Sequence, residues 1–167
     1  MKFVKHPLCI QHVIGNSWES RAVEIYICPI CKSYRMFPRY GEIKKIADSR
    51  IGRCSEWSIL FGAILNSLSI QTRLVHDFLD HCRNESLIDG IWTHIDSTIE
   101  YPTSLDHFEY YEKNGGKKYS LVLAFSDTNS EDVTMSYTLK SHSVQQTRNK
   151  HKKNNNMDNF KKNYLSI

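Results

Sequence analysis

The clearest hydrophobic signal in the chain lies between Cys54 and Leu68. Trp57, Leu60, Phe61, Ile64, Leu65 and Leu68 recur at three- and four-residue steps, the repeat of a helix with one continuous apolar face. Ahead of it, residues 42–48 read as a short helix. Beyond Leu68 the period shortens: residues 72–78, 91–96 and 119–125 read as strands, and 132–139 is a further strand candidate. Asp89-Gly90 fits a tight turn between two of them. Residues 1–40 show little periodicity of either kind. From about Ser141 the composition shifts to Lys and Asn, with NKHKKNNNMDNFKKN in sequence. Such a segment has little to bury and reads as a disordered tail. The expected organisation is a lobe over 1–40, an α+β core over 41–140 and a tail over 141–167.

Composition changes this picture only modestly. A chain of 167 residues, 40% hydrophobic and 24% charged, can bury one core. Its net charge of +4 gathers in the tail, where solvation is a simpler account than nucleic acid. No run reaches the roughly 18 apolar residues of a membrane span. The opening MKFVKHPLCI lacks the apolar centre of a secretory signal. Cysteines stand at 9, 28, 31, 54 and 82. An odd count containing a C-x-x-C pair argues against a secreted disulfide framework. Reduced thiols in a cytoplasmic or nuclear compartment fit better.

Gly52-Arg53-Cys54 places one thiol at the entrance to the amphipathic helix. Unpaired amide N–H groups and the helix dipole favour thiolate there. A thiol nucleophile needs a base, and the base needs an orienting group. His81 follows one strand pattern and Asp96 ends the next, so two neighbouring strands packed on the helix could gather all three. Taken singly, Cys54 is more often a buried core thiol. His76 and His94 compete with His81 on position alone.

Several stretches together resemble one family. CPIC (28–31), FPRY (37–40), SRIGRCSEW (49–57), HDFLDH (76–81), WTHID (92–96), YEKNGGKKYSLVLAF (111–125) and DVTMSY (132–137) occur in the order and at intervals similar to those of the cytoplasmic peptide:N-glycanases. These are amidases of the transglutaminase-like superfamily. The resemblance implies a transglutaminase/papain-like α+β fold, a nucleophile helix packed on an antiparallel sheet, and a zinc-binding lobe. It puts the nucleophile on Cys54, the histidine on His81 and the aspartate on Asp96. The implied reaction cleaves the β-aspartyl-glucosamine bond of N-glycans on unfolded glycoproteins. A proteasome-associated adaptor is the implied further partner, and the cytoplasm the implied setting. Trp57 and Glu100 are the candidates for substrate contact.

Zinc enters on the same footing. Cys28 and Cys31 are half of a tetrahedral site, and a second pair is normally required. The family supplies two C-x-x-C pairs; here the upstream one reads His6-Pro7-Leu8-Cys9. His6, Cys9, Cys28 and Cys31 would form a closed, structural Zn²⁺ site, with His12 an alternative to His6. The plainer reading is a turn carrying two thiols.

The chain departs from the family pattern at several points. Cys82-Arg83 stands where Val-Trp is expected, Ser55 replaces a glycine, Gly115 replaces a second tryptophan, and Glu100 falls one step after the expected glutamate, a place taken by Ile99. These changes keep open a second class of function. In it, a catalytically impaired relative binds glycoproteins or a degradation partner.

Overall fold

The computed structural model describes residues 20–140 and 144–146. His6, Cys9, His12 and nearly all of the proposed tail therefore lie outside the described residues. The elements are β1 (Ala22–Ile27), β2 (Tyr34–Arg39), α1 (Ile43–Ser49), α2 (Cys54–Ser67), β3 (Thr72–His76), β4 (Cys82–Ile88), β5 (Ile91–Ile95), α3 (Tyr110–Lys113), β6 (Leu123–Phe125), β7 (Ser130–Asp132) and α4 (Thr134–Tyr137). β1 and β2 form a hairpin of their own. The other strands form an antiparallel sheet in the order β5-β4-β3-β6-β7. Among the described residues no helix is long and apolar enough to cross a membrane.

Helix α2 spans the expected residues but does not bury its apolar stripe. Its buried positions are Glu56, Ser58 and Gly62, while Ile64 and Leu68 are 48% and 65% exposed. The helix packs against β3 and β4. Small residues allow that approach: a Cβ at Gly62 would already stand 3.0 Å from the Asn84 amide nitrogen. The close packing thus selects small groups rather than large apolar ones.

β4 was not visible in the hydrophobic pattern. Cys82, Arg83, Asn84, Glu85 and Ser86 are all buried in succession, because the strand is flanked by β3 and β5 and covered by α2. Asp89-Gly90 is a tight turn before 91–96 as expected, but it joins β5 to β4, a strand absent from the hydrophobic pattern. Both residues have positive φ, 51° and 80°, the conformation that a two-residue hairpin of this twist requires.

Two other expectations need correction, and a region read without elements gains a pair of strands. Residues 22–39 form a hairpin, although much of it is exposed on both faces and so leaves no alternation to read. Only Leu123–Phe125 of 119–125 is strand. Residues 132–139 are not one strand: β7 ends at Asp132 and a helical turn begins. Asp132 Oδ1 accepts from Thr134 N (3.1 Å) and Oγ1 (2.6 Å), an Asx-type cap that starts the turn. Thr134 Oγ1 in turn accepts from Val122 N at 2.7 Å. Val133 and Tyr137, one helical turn apart, then enter the core with Val75, Tyr111, Tyr119, Val122 and Ala124.

Candidate active site

Cys54 occupies the first turn of α2. The approach to it is tightly built. Glu56 Oε2 accepts the Arg53 backbone N–H at 2.8 Å, and the Trp57 indole N–H donates to the Gly52 carbonyl at 2.8 Å. A Cβ at Gly52 would lie 2.6 Å from Glu56 Cβ, so the entry needs glycine. Glu56 is itself buried and carries a bidentate ion pair with Arg39 of β2, at 2.8 and 2.9 Å. Arg39 also reaches Glu24 (2.8 Å) and Ser55 Oγ (3.0 Å). Arg53 closes the ring on Glu24 and on Tyr26 Oη. The hairpin therefore clamps the end of the helix that carries Cys54.

His81 sits on the bend between β3 and β4, where Phe78 and Asp80 adopt positive φ of 52° and 73°. Asp77 holds that bend, its Oδ1 accepting from Leu79 N (2.9 Å) and His81 N (3.1 Å). The His81 ring meets Asp96, which follows β5, through Nε2 at 2.6 Å. Asp96 is fully buried, and its Oδ1 accepts from Thr98 N and Oγ1 at 2.7 and 2.6 Å. The Cys54 thiolate acts on the same imidazole, and its Sγ lies 4.0 Å from the carbonyl of Asp80, the residue before His81. Cys54, His81 and Asp96 are thus brought together from three separate elements.

Electrostatics follows from these contacts. The hydrogen bond from the Cys82 side chain, then that from His81, hold the Cys54 thiol well below its ordinary range, against the opposing effect of burial. Burial works against a charged His81, but Asp96 and Cys54 outweigh it and raise the imidazole to about 8. Burial likewise opposes ionised Asp96, yet the bonds from His81, Thr98 and Tyr111 hold it far below the carboxylate range. Near neutral pH the site therefore rests as thiolate, imidazolium and carboxylate.

The competing histidines are placed elsewhere. The His76 ring packs on Phe78 with centroids 4.3 Å apart. His94 is buried against Tyr137, Nδ1 to Oη 3.4 Å. Burial, then the Arg83 charge, lowers it to about 4. Among the described residues, His81 is the histidine whose ring hydrogen-bonds Asp96. Trp57 spends its N–H on Gly52, so its visible role is to shape the helix entry. Glu100 is exposed, and its carbonyl accepts from Ser104 N at 3.0 Å.

Two residues that pattern reading missed border the site. Tyr111 Oη donates to Asp96 Oδ2 and lies 3.1 Å from His81 Nε2, so it touches both partners. Arg83, fully buried, lies beneath them. Its guanidinium carbon stands 4.4, 5.0 and 5.6 Å from the ring centres of Tyr137, Tyr111 and Tyr119, close enough for cation–π attraction. Arg83 Nη1 and Lys117 Nζ both reach Asp77 Oδ2, at 3.2 and 2.6 Å. The YEKNGGKKY stretch supplied a signal for Tyr111, since its order and interval were part of the family resemblance. Gly115 in the same stretch has a local reason to lack a side chain: a Cβ there would lie 2.8 Å from the Tyr111 carbonyl oxygen.

Cys28 and Cys31 fall on the turn between β1 and β2. Cys28 N donates to the Ser33 carbonyl (2.8 Å) and Lys32 N to the Cys28 carbonyl (3.0 Å). Lys32 has positive φ, 59°. A thiol pair on one tight turn is a donor set that suits half of a zinc site. Among the described residues no three His, Cys, Asp or Glu side chains are grouped to hold a metal; His6 and Cys9 lie outside them.

The sequence that builds this site is similar to known proteins. Residues 18–97 match the transglutaminase-like superfamily, and the chain carries a transglutaminase-like domain there. The particular relatives it matches are peptide-N(4)-(N-acetyl-beta-glucosaminyl)asparagine amidases. The Rattus norvegicus protein is 34% identical over 135 residues, 80% of this chain and 20% of its own length. The Homo sapiens protein is 34% identical over 129 residues, 76% of this chain and 19% of its own. The Oryza sativa subsp. japonica protein is 39% identical over 114 residues, 67% of this chain and 25% of its own. The chain spans about a fifth to a quarter of the length of these curated relatives.

Proposed function

We propose that the protein is a cysteine amidase of the peptide:N-glycanase type, releasing N-linked glycans from unfolded glycoproteins. The observation that carries this reading is the contact of Cys54, His81 and Asp96 inside a domain similar to those amidases. The Cys54 thiolate attacks the side-chain carbonyl of the glycosylated asparagine. His81, protonated at rest, gives its proton to the departing glycosylamine. Asp96 holds Nε2 and leaves the other ring nitrogen for the thiol and the substrate, and it stabilises the charged ring. Water deprotonated by His81 then hydrolyses the thioester and leaves aspartate in the peptide.

The test is direct. Denatured high-mannose glycopeptide incubated with the protein should show conversion of asparagine to aspartate by mass spectrometry. Cys54→Ala should abolish it while circular dichroism stays unchanged; full activity in that variant would sink the assignment. A second reading, an inactive relative that binds glycoproteins or a degradation partner, is favoured by Arg83 and Gly115 at positions where the family pattern has tryptophan. Unconverted glycopeptide retained by wild-type protein would select it. On the active reading the protein works in the cytoplasm or nucleus, on glycoproteins bound for degradation, with a proteasome-associated adaptor as a further partner.

The proposal extends to structural Zn²⁺. Cys28 and Cys31 would supply two thiolates and His6 and Cys9 the remaining ligands, with His12 the substitute for His6. Bound zinc would fix the hairpin turn and take no part in the reaction. Metal analysis of the purified protein, with and without Cys28→Ser, tests this: one zinc per chain should be lost in the variant.

A further inference from the structure

Three hydrogen bonds from one guanidinium converge on the two residues that follow Cys54. Arg39 ends β2, where Arg21 N donates to its carbonyl at 2.8 Å and pins its backbone. Its Nε and Nη2 fork onto the two carboxylate oxygens of Glu56 at 2.8 and 2.9 Å. Nη2 also donates to Ser55 Oγ at 3.0 Å, and Nη1 to Glu24 on the facing strand at 2.8 Å. Glu56 Oε2 in turn accepts the Arg53 backbone N–H at 2.8 Å and the Ser55 hydroxyl at 3.2 Å. The residue before Cys54 and the two after it are thus tied, directly or through one carboxylate, to a side chain of another element. The family pattern has glycine at the place of Ser55, so the bond to that hydroxyl is this chain's own addition.

We propose that Arg39 is a positioning residue for the nucleophile, holding the first turn of α2 so that the Cys54 sulfur faces His81. The inference rests on Cys54 as the nucleophile of the proposed amidase, but labelling of the sulfur reads it without any glycopeptide.

A helix cap alone does not call for this arrangement. Accepting the Arg53 N–H needs one oxygen of Glu56, which an exposed carboxylate could offer. Glu56 is instead 5% exposed. Burial opposes its charge, but the Arg39 guanidinium and the Arg53 N–H outweigh burial and hold it below the ordinary carboxylate range. A planar guanidinium makes paired, directed bonds that an ammonium cannot. The fork therefore sets the angle of the turn as well as its charge balance. Angle matters because the sulfur and its partner come from different elements. Cys54 rides on α2, and His81 on the bend whose Asp80 carbonyl lies 4.0 Å from Sγ. A displacement of about 1 Å at such a site costs about a hundredfold in rate. Arg39 acts through residues 55 and 56 and takes no part in proton or acyl transfer.

Arg39→Lys in the full chain keeps the charge and loses the fork. At a temperature where circular dichroism shows the variant folded, kcat on denatured glycopeptide should fall about a hundredfold, with KM within about threefold. Iodoacetamide labelling of Cys54 at about pH 7 should slow about tenfold, as the sulfur turns away from the imidazolium. Trypsin cleavage after Arg53 and Arg73 leaves Cys54 the one cysteine of its peptide, so its labelling is read alone. Ser55→Ala separates aim from stability. Alanine is the better helix former, yet loss of that one bond should slow labelling about threefold. Wild-type kcat and labelling in folded Arg39→Lys, whatever its melting temperature, overturn the inference. Where Arg39→Lys does not fold, wild-type labelling in Ser55→Ala overturns it and slowed labelling upholds it. Slowed labelling in variants of a protein that never deglycosylates keeps the positioning role and rejects the amidase. Unchanged labelling in variants of one that does deglycosylate rejects the positioning role alone.

Discussion

Asp77 and Asp96 hold the same histidine at different points. Both are fully buried, and both are held below the ordinary carboxylate range although burial opposes it. Asp96 meets the His81 ring; Asp77 meets the His81 backbone N–H. Asp96 has hydroxyl, amide and imidazole donors around it. Asp77 compensates two cations, Arg83 and Lys117. The difference separates orienting a base from holding the bend that bears it. A buried carboxylate close to a catalytic ring is therefore not by position alone part of the proton chemistry.

Substitutions can break this comparison. Asp96→Asn should have the largest effect on catalysis, a roughly 10³- to 10⁴-fold fall in turnover on denatured glycopeptide with the fold retained, because the tautomer rather than the packing is lost. Asp77→Ala should act on stability instead. It leaves buried Arg83 uncompensated and should cost about 3–5 kcal/mol in urea unfolding. The cost should shrink in an Arg83→Met background. A stable but inactive Asp77→Ala would erase the distinction between the two carboxylates.

The pH response sharpens the comparison. The folded value of His81, about 8, lies above the ordinary imidazole value of 6.5. A raised value means stabilisation that is complete below 6.5 and lost as pH rises through about 8. The His81 share is about 2 kcal/mol, but the depressed Cys54 thiol contributes in the opposite sense over the same range. A fall in unfolding free energy between about pH 6 and pH 9 is therefore expected in Cys54→Ala, where that thiol is gone and Asp96 still raises the imidazole. Turnover should fall over the same window, as the proton donor is lost. In Asp96→Asn both limbs should move toward 6.5. Tyr111→Phe should have the smallest effect, about 1 kcal/mol of stability and a modest loss of turnover.

Much of the site was legible because chemistry and local signals coincided. Gly52 and the apolar run marked the helix entry, and the Asp89-Gly90 turn marked the start of β5, the strand that leads to Asp96. Periodicity failed where burial is polar. β4 hides Arg83, Asn84 and Glu85 behind neighbouring strands, and apolar counting assigns such a stretch to the surface. The α2 stripe misled for the converse reason, since the sheet approaches through Gly62 and Ser58. Asp132 shows a third failure: a side chain that caps Thr134 turned an apparent strand into a helical turn.

The ion-pair ring around Arg39 bears on where the gene can be cut. Arg39 lies on the hairpin and its bidentate partner Glu56 on the nucleophile helix. A fragment started after residue 40 would keep the helix and the sheet but strand a buried carboxylate without its cation. For expression or domain grafting, the hairpin and the helix form one inheritable unit, and the usable seam lies upstream of Glu24.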